Sequence, residues 1–335
     1  LGHLLAQSGH QVTLVGRADY VREVQAHGLT LEEQGRTRVV HPTAVESVGE
    51  LAADEHTWEL ILLTVKAYDT LQAAQTLAPA ISRETPLLLV QNGVGGEELA
   101  QQALPQTPIV SGVITWPVSI LAAGHIAIQS RRGGASLAPT REGQRVEPWV
   151  QLFHSAGVKT VLCPDYRAQK WSKLLLNMLA NAVPAILDMP PGAVFSDPRL
   201  FAIERAACLE ALDVMHALQL RPVGFPDYPV PVLAWAMRHL PEPILQRLLR
   251  RLVAGGRGEK KPSLQIDLLS GRRRSEVLYL NGAVVTYAVH LGLAAPVNQV
   301  LVDTLLGIAA VTISWHDFRG KPERLVAEVS AAKGE

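Results

Sequence analysis

Cysteine is nearly missing from this chain: Cys163 and Cys208 are its only two, in 335 residues. They lie too far apart for metal-ligand spacing, which excludes a zinc site built on them, and they give no disulfide framework. Net charge is missing as well, since 31 Asp and Glu balance 31 Lys and Arg. No global field therefore draws the chain to nucleic acid or to an anionic membrane, and any charged partner must be recognised locally. No apolar run approaches the ~20 residues of a membrane span, and the first residues lack the basic segment and apolar stretch of a signal peptide. These absences predict a cytoplasmic protein with no metal site.

What remains is enough for a substantial core. Hydrophobic residues make up 48% of the chain and charged residues 19%, the balance of a globular protein. At ~150 residues per unit the length predicts two domains. Short apolar runs alternate with helical patterns through the first half: Gln11 to Val15, Leu60 to Thr64 and Pro86 to Val90 read as strands. The second and third are solidly apolar, as parallel strands covered on both faces should be. Ile109 to Trp116, Ile126 to Gln129 and Ala135 to Ala138 read as closing strands, with a turn at Gly124-His125. From about Pro164 long helical periodicities take over. The expectation is a Rossmann-type doubly wound sheet over 1–163 and an all-helical unit over 164–335.

One part of that pattern is missing. Leu1 to His10 reads as an amphipathic helix with no strand or glycine loop before it, followed by a turn at Gly9 and the strand Gln11 to Val15. A dinucleotide-binding unit runs strand, glycine loop, helix, strand. This reading expects a strand and GxGxxG loop ahead of Leu1, and it expects the chain as it stands to bind a dinucleotide weakly.

Several polar residues fall where such a fold places ligands. Arg17 follows the first strand, where a cation would meet a 2′-phosphate in place of the acid that reads ribose hydroxyls. Lys66, in TVKAYDT, and Asn92, in QNGVGG, each follow a strand and point toward the crevice at the strands' carboxyl ends. Farther on, Lys173, Asn177 and Asn181 are spaced four apart in QKWSKLLLNMLANAV. That spacing places all three on one helical face while Leu174, Leu175 and Met178 pack elsewhere. Asn is a poor helix former, so two in line with a lysine suit a carboxylate-bearing ligand better than mere solvation. In KPSLQIDLLSGRRRSEVLYLNG, Ser263 opens a helix and Asp267 follows four later, while Glu276 stands in an apolar setting. Arg272 to Arg274 reads as a solvated basic turn.

Together the stretches LLAQSGHQVTLVGR, LLTVKAYDT, VQNGVGGEE, QKWSKLLLNMLANAV, PSLQIDL and SEVLYLNGAVV resemble the ketopantoate reductase family over nearly the whole chain. The resemblance implies reduction of a 2-ketoacid by NADPH. It implies that Arg17 touches the cofactor phosphate and that Lys66 and Asn92 line the cofactor crevice. Lys173 would give the proton to the ketone oxygen, Asn177 and Asn181 would bind substrate, Ser263 its carboxylate and Glu276 its hydroxyl. The chain departs from the family at Pro191, where an Asn is frequent, and at Leu278, where an acid is. Other readings of the same architecture are a different 2-hydroxyacid or opine-type dehydrogenase, and an NADP-binding protein whose catalytic site has decayed. The run Ile244 to Ala254, with leucines set against Arg247, Arg250 and Arg251, reads as a packing helix of the domain or of a homodimer and not as a membrane-surface helix.

Overall fold

The structure, a computed structural model, describes residues 1–52, 58–257 and 261–334, with the side chains of 52 and 253–257 outside the description. Its strands are β1 (Thr13–Val15), β2 (Leu29–Glu33), β3 (Arg36–Val40), β4 (Thr43–Val45), β5 (Ile61–Leu63), β6 (Leu87–Leu89), β7 (Ile109–Ile114), β8 (Val118–Ala122), β9 (His125–Ile128), β10 (Ala135–Pro139) and β11 (Thr160–Leu162). The main sheet has the order β11-β10-β7-β6-β5. Strands β5, β6 and β7 are parallel, whereas β10 runs antiparallel to β7. Leu87, Leu88 and Leu89 of β6 are all 0% exposed, the burial that a solid apolar run predicts for a strand covered on both faces. Leu87 and Leu89 pack against Ala74 and Leu77 on one side and Ala100 and Leu104 beside them. Leu88 faces the other way, toward Val110, Leu137 and Phe153. Alternation along one strand thus builds two layers of core.

The sheet is less unified than the sequence pattern suggests. Among the described residues, strand β1 pairs only with β4, in parallel, and shares no hydrogen bonds with β5. The segments expected as neighbouring closing strands go to different sheets. Strand β9 lies between β2 and β8 in a four-stranded sheet, while β10 joins the main one. Periodicity told which runs are strands, but pairing depends on long-range partners that a local pattern does not encode.

After β11 the described residues form helices, with one isolated bridge among them between Phe225 and Tyr228. The first, Tyr166–Met178, is capped by Asp165, whose side chain accepts from the amides of Arg167 and Ala168. Its buried residues Trp171, Leu174, Leu175 and Met178 join a core with Phe195, Phe201, Met215 and Leu305. No helix among the described residues is long and apolar enough to cross a membrane.

The helix carrying Lys173 and Asn177 does not continue through Asn181, as the fourfold spacing predicted. It stops at Met178, Ala180 takes a positive φ of 54°, and a second helix runs over Ala182–Leu187. Pro184 explains the break. It has no N–H to give the carbonyl of Ala180, and its ring would collide with that carbonyl in a continuous helix. The amide freed at Ala180 donates to Glu204 Oε2 at 2.9 Å instead.

Candidate active site

Because β5 and β6 are parallel, their carboxyl ends open on the same edge of the sheet, and the loop after each reaches into the helical part. Lys66 leaves β5 and places its Nζ 2.6 Å from Glu276 Oε2 and 3.2 Å from Asp267 Oδ2. Both acids are buried, at 5% and 4% exposure. The amide of Ala67 donates to the other oxygen of Glu276 at 3.4 Å, and Arg272 holds the other oxygen of Asp267 at 2.6 Å. Burial alone would pull the Lys66 pKa down, but the hydrogen bond and charge of Glu276, with those of Asp267, outweigh it and leave the ammonium above the ordinary lysine value. Arg274 is exposed, as the solvated-turn reading expects, and it also bonds Asp69 and the Tyr68 carbonyl and stacks over the Tyr68 ring at 4.3 Å.

The loop after β6 meets the same side. Asn92 Oδ1 accepts from Asn177 Nδ2 at 3.0 Å. Next to it, Gly93 has φ 94°, and a Cβ there would lie 2.6 Å from Tyr279 Cβ and 2.7 Å from the Tyr279 carbonyl oxygen. Only glycine allows this approach, which lets the amide of Val94 donate to Tyr279 O at 3.1 Å. Tyr279 belongs to the 3-10 turn Glu276–Tyr279, so Glu276 and the Asn92 loop are held against one short element.

Asn181 is brought in by a different route. Buried after the helix break, it donates to the Asn177 carbonyl at 2.9 Å and accepts from the amide of Leu264 at 3.3 Å. That acceptor satisfies an orphan amide in the first turn of the helix Ser263–Leu269. Ser263 itself is exposed and does not cap the helix, because Pro262 takes the N-cap position. Lys173 is half-buried on the helix Tyr166–Met178, one turn before Asn177. Hydrogen bonds therefore join Lys66 to Glu276 and Asn92 through Asn177 to Asn181, and the Val94–Tyr279 bond ties the two groups together, with Lys173 one turn from Asn177 and Ser263 on the helix that Asn181 caps.

A family profile described as "Ketopantoate reductase PanE/ApbA" matches residues 1–141, and its C-terminal counterpart matches 165–309. The chain belongs to the ketopantoate reductase PanE/ApbA family. Relatives include the 2-dehydropantoate 2-reductases of Pyrococcus horikoshii, 29% identical over 90% of both chains, and of Halobacterium salinarum, 27% identical over 90% of this chain and 92% of that one. Among solved structures, a PanE/ApbA family ketopantoate reductase from Ralstonia eutropha JMP134 superposes with a TM-score of 0.77 at 27% identity, covering 92% of this chain and 93% of its own. A D-mandelate dehydrogenase in complex with NADH and anilino(oxo)acetate shares the fold, with a TM-score of 0.75 at 20% identity over 92% and 93% of the two chains.

A ketopantoate reductase uses a nicotinamide cofactor, and the crevice fits one in two respects. Among the described residues a Cβ at Gly95 would meet nothing within 4 Å, leaving open space at the start of the helix Gly96–Ala103. Nearby, the Oε1 of buried Gln91 has no hydrogen-bond partner among the described residues, while its Nε2 donates to Thr70. Of the residues named from sequence, Arg17 stands apart. It is exposed at the N-cap of the helix Ala18–His27, and no described hydrogen bond links it to the cluster. The buried pair Lys170 and Glu97, 2.9 Å apart, escaped the sequence reading, although a lysine at the third position before Lys173 in an apolar helix was a signal.

Proposed function

We propose that this chain reduces the C2 carbonyl of a 2-ketoacid, 2-dehydropantoate foremost, with NADPH as the preferred cofactor. The observation that carries the reading is the convergence, within a family of 2-ketoacid reductases, of the loops after β5 and β6 with the Lys173 helix and Glu276. Residues 1–163 take the cofactor and 164–335 the substrate. The cofactor supplies the hydride; the side chains bind, orient and move a proton. Lys173 Nζ donates to the ketone oxygen and stabilises the charge that develops there. Asn177 and Ser263 hold the substrate, the latter at its carboxylate. Asn181 contributes the amide N–H not spent on the Asn177 carbonyl. Glu276 accepts from the substrate hydroxyl, a stronger bond than a neutral acceptor would give. Arg17 binds the 2′-phosphate that distinguishes NADPH from NADH.

The test is oxidation of NADPH by the purified chain with 2-dehydropantoate, with the keto form of mandelate, and with ketoacid plus amine. Turnover greatest with 2-dehydropantoate and independent of amine is expected. Turnover only with the aromatic ketoacid, or only with amine present, would replace the substrate assignment, and tight cofactor binding without any turnover would favour a decayed site.

A further inference from the structure

Lys170 and Glu97 are 4% and 3% exposed, and nothing in the reduction just described uses them. The Lys170 ammonium lies 2.9 Å from a Glu97 carboxylate oxygen and donates to the backbone carbonyl of Gln91, also at 2.9 Å. That same Glu97 oxygen accepts from Ser111 Oγ at 2.7 Å. Gln169 continues the network, donating to Ser111 and accepting from Ser136. Buried polar groups thus run without interruption from β10 and β7 to the carbonyl directly before Asn92.

The place of that carbonyl matters. The Gly93-Val94-Gly95-Gly96 sequence after it has little stiffness of its own, and Asn92 is exposed. On the helix Tyr166–Met178, Lys170 comes three residues before Lys173 and Asn177 four after, so all three share one face. Lys170 grips the loop at Gln91 and Asn177 grips it at Asn92. The Asn92 loop is fastened to the helix on both sides of Lys173.

We propose that Lys170 and Glu97 are positioning residues, a buried ionic clamp that fixes the distance between Asn92 and Lys173. This rests on the assignment of Lys173 as proton donor. A buried ion pair contributes little net stability compared with well-packed apolar side chains, so the clamp's effect is on geometry. Displacing a reacting group by ~1 Å lowers rates by up to ~10²-fold.

The experiment compares the wild-type chain with Lys170→Met/Glu97→Met, which keeps the volume and removes both charges, and with Lys170→Arg, which keeps the cation. Three readouts are taken: amide hydrogen exchange, thermal midpoint, and turnover with 2-dehydropantoate and NADPH. The expected result for the double variant is exchange faster by ~10-fold or more at 91–95 only, since the loop loses the grip of Lys170 on the Gln91 carbonyl. Turnover should drop by ~10-fold to ~10²-fold with the ketoacid KM within about twofold and the thermal midpoint unchanged. Lys170→Arg should restore most of the protection. Unchanged exchange and turnover in the double variant would overturn the proposal. So would loosening spread over the whole sheet with a lowered midpoint, Lys170→Arg as loose as the double variant, or rapid exchange at 91–95 in the wild type itself. If the wild type reduces no 2-ketoacid, the functional assignment falls, while the exchange data still decide whether the clamp exists.

Discussion

Lys66 and Glu276, 210 residues apart in sequence, meet at 2.6 Å between Nζ and Oε2, and this contact joins the loop after β5 to the helical part of the molecule. Asp267 shares the same ammonium at 3.2 Å. Glu276 takes its only described cationic partner from that lysine, whereas Asp267 also has Arg272.

Lys66→Met should therefore leave Glu276 as a buried and uncompensated carboxylate. For a fully buried pair the loss is about 3–5 kcal/mol; with the Lys66 side chain 34% exposed, about 2 kcal/mol is expected after allowing for solvent screening. Urea unfolding at neutral pH measures it. The pH dependence has a definite sign. Because the folded-state pKa of Lys66 is raised, its contribution is fully present below the ordinary lysine value and disappears as pH rises through the higher folded value. The difference between wild type and Lys66→Met should be fully present at neutral pH and shrink in the alkaline range above the ordinary lysine pKa. A difference that persists undiminished as pH rises well above that value would contradict the assignment.

Gly93→Ala tests the seam between the β6 loop and the turn Glu276–Tyr279. A methyl at 2.6–2.7 Å from Tyr279 atoms, on a residue with φ 94°, must push the two elements apart and break the bond from Val94 to Tyr279. A loss of ~2 kcal/mol or more in stability is expected from the strain and the lost contact together. A stability within ~0.5 kcal/mol of wild type would mean the seam yields freely.

Arg17→Ala should weaken NADPH binding far more than NADH binding, because only NADPH offers a phosphate for the guanidinium. Titration with both cofactors reads this directly. An unchanged ratio of the two dissociation constants would hand the phosphate to another cation.

Much of this arrangement is legible in the sequence itself. The runs LILL and LLL announced parallel strands, of which β6 is fully buried while β5, at the edge of the sheet, is mostly half-buried, and the ends of those runs carry Lys66 and Asn92 at matching offsets. Those features are local, and local sequence determines them. The assignment of β9 to a separate sheet, the meeting of Lys66 with Glu276, and the Lys170–Glu97 pair all join distant segments, for which residue spacing holds no information. Asn181 illustrates a third kind of difference. Fourfold spacing placed it correctly beside Asn177, but Pro184, three residues on, already denied the continuous helix and turned the asparagine into a cap for Leu264.

The assignment of Lys173 as proton donor is tested most directly by steady-state kinetics of Lys173→Ala with NADPH and 2-dehydropantoate, alongside the dissociation constant for NADPH. Turnover lower by ~10² or more, the scale for loss of a positioned acid, with cofactor affinity within about twofold, is the predicted result. Turnover close to wild type in a variant that still binds NADPH would contradict it.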